Sequence, residues 1–193
     1  MSLPLVLAST SSFRRDLLTR LQITFTQDSP QSDETPLANE NAPQLAQRLA
    51  IAKAQALADK YPQHLIIGSD QVASFAGQLI GKPLTHDNAV QQLSLFSGQC
   101  VDFYTGLCVF NSQTKNTQHI VEKFSVYFRN LSHAQIERYL RAEEPYFCAG
   151  SFKSEGLGIC LFEKLEGNDS SSLIGLPLIQ LVTMLNNEGI QIP

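Results

Sequence analysis

Apolar residues recur along this chain with two different periods, and the changes of period outline its elements. Residues 3–8 (LPLVLA) form a short continuous apolar run, as a buried strand does. The hydroxyl residues Ser9-Thr10-Ser11-Ser12 follow, and Phe13, Leu17, Leu18 and Leu21 then return at helical spacing. A strand therefore passes through a hydroxyl-rich turn into a helix start. Residues 27–43, rich in Asp, Ser, Pro and Asn, predict a loop. Pro43 suits a first helical position, and Leu45, Leu49, Ala52 and Ala56 mark one face of a helix reaching about Lys60.

Residues 64–69 (HLIIGS) predict a buried strand ending at Asp70. VASF, the turn Ala76-Gly77-Gln78 and LIGK predict a hairpin. Thr85 is placed to cap a helix carrying Ala89, Leu93 and Phe96. Residues 100–110 and 119–129 predict two strands joined near Asn111-Ser112, the second burying Phe124, Val126 and Phe128 on one face. Ser132 with Gln135 forms a capping box for a helix that ends before Pro145. The small-residue stretch 148–158 predicts a loop. A strand at 158–163, a polar turn at 167–169 and a helix from about Pro177 to Asn187, stopped by Gly189, complete the pass. Strands alternate with helices, so we read residues 1–193 as one α/β domain with a mixed β-sheet flanked by helices, compatible with two lobes around a cleft.

Composition narrows the classes of function. Among 193 residues, 14 are Lys or Arg and 18 are Asp or Glu, a formal net charge of −4. That balance argues against a partner bound by bulk positive charge, such as nucleic acid. No apolar stretch approaches the about 18 residues of a membrane span, and no basic segment precedes a long apolar one as in a secretory leader. A cytoplasmic location is the expectation. The four cysteines include no Cys-x-x-Cys pair, and the four histidines are scattered, so reduced thiols are expected rather than a zinc site.

Six segments carry candidate chemistry. At Ser9-Thr10-Ser11-Ser12-Phe13-Arg14-Arg15, a helix N-terminus with hydroxyls and a guanidinium suits a phosphate, although an ordinary Ser cap with solvated arginines has the same spelling. Lys53 falls at the edge of its helix's apolar stripe, either as a functional cation or as a snorkelling side chain. Asp70, in Gly68-Ser69-Asp70-Gln71, stands where α/β enzymes place catalytic or metal-binding carboxylates, and where a turn-forming Asp would also stand. Asp33-Glu34-Thr35 offers adjacent carboxylates to a Mg²⁺, or a solvated loop. Gly81-Lys82-Pro83 predicts a Lys fixed in a tight turn, and residues 150–156 (GSFKSEG) combine small residues with one cation and one carboxylate. No Walker A loop, G-x-G-x-x-G or Ser-His-Asp set is present.

In this order, LVLASTSSFRRDLL (5–18), DET (33–35), RLAIAKA (48–54), IIGSDQV (66–72), GKP (81–83), YTGL (104–107), AGSFKSEGLG (149–158) and IGLP (174–177) resemble the Maf family of nucleotide pyrophosphatases. Within it the similarity is greatest to the subgroup acting on 7-methyl-GTP. The resemblance implies a two-lobed α/β fold and hydrolysis of a nucleoside triphosphate to the monophosphate and pyrophosphate, with a divalent cation (Mg²⁺ or Mn²⁺). It makes Asp70 the catalytic proton acceptor and, with Glu34, a metal-binding position. It places Ser9, Arg14, Lys53 and Lys82 around the phosphates, and Phe13, Gln71 and Glu155 at positions governing substrate choice. It also implies a homodimer. Where the family usually has Pro in its first motif, this chain has Ser12.

Methylation at N7 gives guanine a delocalised positive charge. Such a ring gains from an aromatic face and from a nearby carboxylate. Phe13 and Glu155 supply those two features where other members often carry Arg and Gln, although Phe13 as a core residue and Glu155 as a solvated one remain open at this point. The alternatives are a pyrophosphatase for unmodified nucleotides (dTTP, UTP, CTP or GTP), or a nucleotide-binding regulator of cell division without turnover.

Overall fold

The apolar N-terminal run becomes the interior strand β1 (Leu5–Ala8), buried along its whole length. The structure, a computed structural model, describes residues 3–192. After β1 come α1 (Ser12–Thr19), β2 (Phe25–Asp28), α2 (Ala42–Gln55), β3 (Leu65–Phe75), β4 (Gln78–Ile80), α3 (His86–Phe96), β5 (Cys100–Asn111), β6 (Thr117–Phe128), α4 (His133–Glu143), β7 (Phe162–Gly167), α5 (Ser170–Ile174) and α6 (Leu178–Asn187). The seven strands form one mixed sheet flanked by helices, in the order β2-β1-β3-β5-β6-β7, with β4 also on β3. β1 runs parallel to β2 and β3, and the other pairings are antiparallel. Among the described residues, no helix is long and apolar enough to cross a membrane.

Local capping chemistry sets several boundaries where the sequence places them. Ser11, Thr85 and Ser132 cap α1, α3 and α4 through their side chains, and Ser132 completes its capping box with Gln135. α2 begins with an Asn41–Gln44 capping box, with Pro43 in its first turn. The hairpin turn has positive φ at both Ala76 (48°) and Gly77 (80°), as a two-residue loop matched to strand twist requires. Other expectations need correction. α2 stops at Gln55, because the chain turns there instead of continuing to Lys60. β2 and the short α5 carry no apolar periodicity and escape a pattern-based reading. Residues 157–161 coil into a 3₁₀ turn, so the last strand starts at Phe162. Residues 81–84 form neither a turn nor a regular element, and Leu84 has φ 64°, so Lys82 is not in a tight turn.

The most consequential difference concerns β3, which does not end at Asp70 but runs on to Phe75. One edge of β3 pairs with β5 from Leu65 to Ser74. The other edge pairs with β1 over Leu65–Gly68 and with β4 over Ala73–Phe75. Residues 69–72 are left without a strand on that edge, because β1 ends at Ala8 and the chain peels away into α1. The two long strands β3 and β5 also bridge two separate cores. Leu65, Ile67, Leu107 and Val109 pack with α1 and α6, whereas Ala73, Val101 and Phe103 pack with α3 and α4. The polar residues Ser69, Asp70, Gln71 and Thr105 occupy the seam between them.

Two glycines let α2 lie against this seam. A Cβ on Gly68 would come within 2.1 Å of the Ala50 carbonyl oxygen, and one on Gly106 within 2.1 Å of that of Ala46. Both clashes are with backbone, so neither is relieved by a rotamer change. Gly68→Ala is expected to destabilise the fold by about 1–3 kcal/mol or more, as overpacking does, read as a lower denaturation midpoint. An unchanged midpoint would refute the close approach.

Candidate active site

The gap on β3 opens into a cleft of about 470 Å³, lined from both halves of the fold. Thr10 to Arg14 enter from the β1–α1 turn and the first turn of α1, Glu34 from the loop before α2, Lys53 from α2, and Asp70 and Gln71 from β3. Lys82, Phe147, Cys148 and residues 152–155 close it from the other side.

Its centre is a buried cation between two carboxylates. Lys53 is 7% exposed and Asp70 8%. Lys53 Nζ donates to Asp70 Oδ1 at 2.6 Å and lies 2.6 Å from Glu34 Oε1. Lys53 is therefore no snorkelling side chain. The sheet-facing helix surface delivers it to Asp70 because Ala46, Ala50 and Ala54 keep α2 close to the glycines. Of the paired carboxylates at 33–34, only Glu34 reaches the cleft, since Asp33 Oδ1 accepts from Thr35 N in a local turn. The loop is fastened by Arg48, whose guanidinium donates to both Glu40 carboxylate oxygens and to the Thr35 carbonyl.

Only one of the two neighbouring arginines turns inward. Arg15 pairs with Asp16 on the surface. Arg14 Nε donates to the Gly175 carbonyl at 2.8 Å. Burial pulls the Arg14 guanidinium down, and the negative charges of Asp70 and Glu34 push it back up. Ser9 lies behind this array. It is 4% exposed, and its Oγ accepts from Ser11 N at 3.1 Å and from Arg14 Nη1, so it braces the turn and does not line the cleft. Ser12 stands at the first helical position, where Pro would also fit, and leaves the α1 start intact. Ser11 satisfies Arg14 N. The N–H groups of Ser12 and Phe13 have no acceptor among the described residues, which leaves donors at the positive end of a helix facing the cleft.

Gln71 is partly committed to structure. Its Nε2 lies 2.9 Å from the carbonyls of Ser172 and Leu173 and 3.1 Å from Thr105 Oγ1. The α5 turn that accepts these bonds also receives Arg14 and Ser69 through Gly175 O. It is shaped by the buried carboxylate of Asp169, which accepts from the N–H groups of Ser171 and Ile179. On the far wall, Lys153 Nζ turns away to the Glu143 carbonyl at 2.8 Å and the Glu143 carboxylate at 3.3 Å. Glu155, exposed and lining the cleft, makes no ion pair among the described residues. Lys82 likewise makes none and is exposed to the cleft.

The site residues missed at the level of sequence are Arg48, Glu143, Phe147, Asp169 and Gly175. Arg48 lies inside the RLAIAKA stretch and Gly175 inside IGLP, so those motifs contained a signal for them. Nothing local marks Glu143, and Asp169 reads only as part of the polar turn at 167–169.

The donor set fits a divalent cation. Asp70 and Glu34 each use one oxygen on Lys53 and keep the other without a partner among the described residues. No group of three or more His, Cys, Asp or Glu side chains is placed to hold a metal ion among the described residues. Two hard carboxylates leave the remaining positions to water and phosphate oxygens, as Mg²⁺ prefers in phosphate-processing sites.

Glu34 gives a pH test. Burial raises its carboxyl, but the Lys53 ion pair and the charges of Lys82 and Arg14 outweigh that and hold it below its ordinary 4.5. A carboxyl lowered on folding adds stability above its unfolded value and loses it as pH falls through the folded one. Wild type is therefore expected to exceed Glu34→Gln in stability at pH 7, the two converging below pH 4.5. A gap of the same size at pH 3 would contradict this.

A mixed α/β sheet whose gap, opened where β1 ends beside the middle of β3, gathers cations and two carboxylates defines a protein that handles a small polyanion. The chain belongs to the Maf family: the family described as Maf-like protein matches residues 4–188. A protein of Pseudomonas savastanoi pv. phaseolicola named 7-methyl-GTP pyrophosphatase is 56% identical over 189 residues, 98% of each chain. Proteins of the same name are 56% identical in Pseudomonas fluorescens (99% of this chain, 100% of that one) and 54% identical in Aliivibrio fischeri (97% of each).

Proposed function

We propose that this cleft hydrolyses 7-methyl-GTP to 7-methyl-GMP and pyrophosphate. The observation that carries the reading is the cluster in which Lys53 holds Asp70 and Glu34 at 2.6 Å, with Arg14, Lys82 and the α1 N-terminus around it. The names and near-full-length identity of the relatives support the substrate.

Arg14, Lys53, Lys82 and the open N–H groups of Ser12 and Phe13 bind the triphosphate and set the scissile anhydride beside Asp70. Asp70, through the oxygen that Lys53 does not use, orients the attacking water and accepts its proton. Water adds at the α-phosphorus, the bond to the bridging oxygen breaks, and pyrophosphate leaves. Asp70 and Glu34 would hold a divalent cation, Mg²⁺ or Mn²⁺, which when bound offsets phosphate charge and acidifies water. Phe13 gives the base an aromatic face. Glu155, left unpaired because Lys153 is engaged by Glu143, meets the positive charge of the methylated ring. Gln71 holds the α5 turn and, with it, Arg14.

The test is the product balance. With Mg²⁺, 7-methyl-GTP is expected to yield pyrophosphate and 7-methyl-GMP one for one, with none in EDTA. Release of orthophosphate instead, or binding without turnover, would overturn the assignment.

A further inference from the structure

Phe147 is the most exposed large apolar side chain among the described residues, at 74%, yet the backbone carrying it is held on both sides. Tyr146 packs against the α3–α4 core, its carbonyl accepts from Leu84 N at 2.9 Å, and its hydroxyl lies 3.0 Å from His86 Nδ1. Cys148 N donates to the Pro145 carbonyl at 3.1 Å. An anchored turn thus presents a bare phenyl ring to water, where burial would be worth more. That ring lines the cleft, as does Phe13, which is 37% exposed and comes from the half of the fold built on β1. Glu155 lines it too.

We propose that Phe147 is the second aromatic wall of the base site, so that the purine ring enters between Phe13 and Phe147 with Glu155 nearby. This rests on the reading that the substrate is a 7-methylguanine nucleotide. A cationic ring covered on both faces by phenyl groups gains stacking and cation–π attraction on each. The Leu84–Tyr146 hydrogen bond also joins the Phe147 turn to the segment carrying Lys82. One hydrogen-bonded pair of segments therefore presents a base contact and a phosphate contact.

The chain contains no tryptophan, so Phe147→Trp places a single fluorophore at this wall. Titration with 7-methyl-GMP is expected to quench its emission saturably, GMP less strongly, and inorganic tripolyphosphate not at all. Phe147→Ala is expected to raise KM for 7-methyl-GTP by about 5- to 100-fold, the range of one lost base stack, with kcat little changed, and Phe147→Trp to restore KM. Being exposed, the position tolerates either change without loss of fold. An unaltered KM in Phe147→Ala, with no quenching in Phe147→Trp, would overturn the wall while wild-type turnover of 7-methyl-GTP left the substrate reading standing. Wild type inactive on 7-methyl-GTP would overturn the substrate reading instead. The wall would then be judged on the nucleotide that is turned over: quenching by its monophosphate supports it, and no quenching overturns it.

Discussion

Asp70→Asn is expected to lower kcat/KM for 7-methyl-GTP by about 10²–10⁴-fold, the usual contribution of a positioned acid–base group, with the fold retained. Asn keeps the shape and an oxygen that Lys53 Nζ can reach, while Lys53 keeps its second partner in Glu34. No buried charge is therefore stranded. What disappears is the free carboxylate oxygen facing the cleft. Pyrophosphate release, with circular dichroism as the folding control, decides the matter. A folded Asp70→Asn enzyme with full turnover would remove Asp70 from the chemistry.

Lys53→Met is expected to give the largest combined loss. It leaves Asp70 buried without its cation, and breaking a buried pair from one side costs about 3–5 kcal/mol. Activity is expected to fall below detection, since the proposed phosphate contact of the same ammonium is lost as well. The double variant Lys53→Met/Asp70→Asn is expected to regain much of the stability and none of the activity. Denaturant unfolding of the four-protein cycle measures both. A single-variant cost below about 1 kcal/mol, or no recovery in the double variant, would contradict a tightly coupled pair.

Much of the fold was legible because the deciding signals are local. Ser11, Thr85 and Ser132 announce helix starts through their own side chains, and the apolar runs of β1 and β3 need no partner to be recognised. The missed pieces depend on distant residues. β2 is a strand because β1 offers it an edge, not because Phe-Thr-Gln-Asp has a strand pattern. β3 continues past Asp70 because β5 pairs with it as far as Ser74 and β4 rejoins its other edge at Ala73.

The candidate site divides in the same way. Residue types at Arg14, Glu34, Lys53, Asp70 and Lys82 were readable, chiefly through the ordered resemblance of eight segments. Spacing alone does not separate Arg14 from Arg15, or Glu34 from Asp33; those choices are made by Gly175 and Lys53, distant in sequence. Ser9 is placed near the phosphates by the resemblance, and in the fold its hydroxyl accepts from Ser11 N and Arg14 Nη1 and braces the turn. Phe147 was invisible because exposure, rather than residue type, makes it notable. The net charge of −4 carries little information about the substrate, because what counts is which cations the gap in β3 collects.

The proposed function requires that this cleft favour a positively charged base on a triphosphate. The most direct test is the ratio of kcat/KM for 7-methyl-GTP to that for GTP, measured by pyrophosphate release with Mg²⁺ in wild type and in Glu155→Gln. We predict a wild-type ratio of about tenfold or more, a difference of about 1.4 kcal/mol, falling towards unity in Glu155→Gln. Equal turnover of the two nucleotides by wild type, or a ratio unchanged by Glu155→Gln, would contradict it.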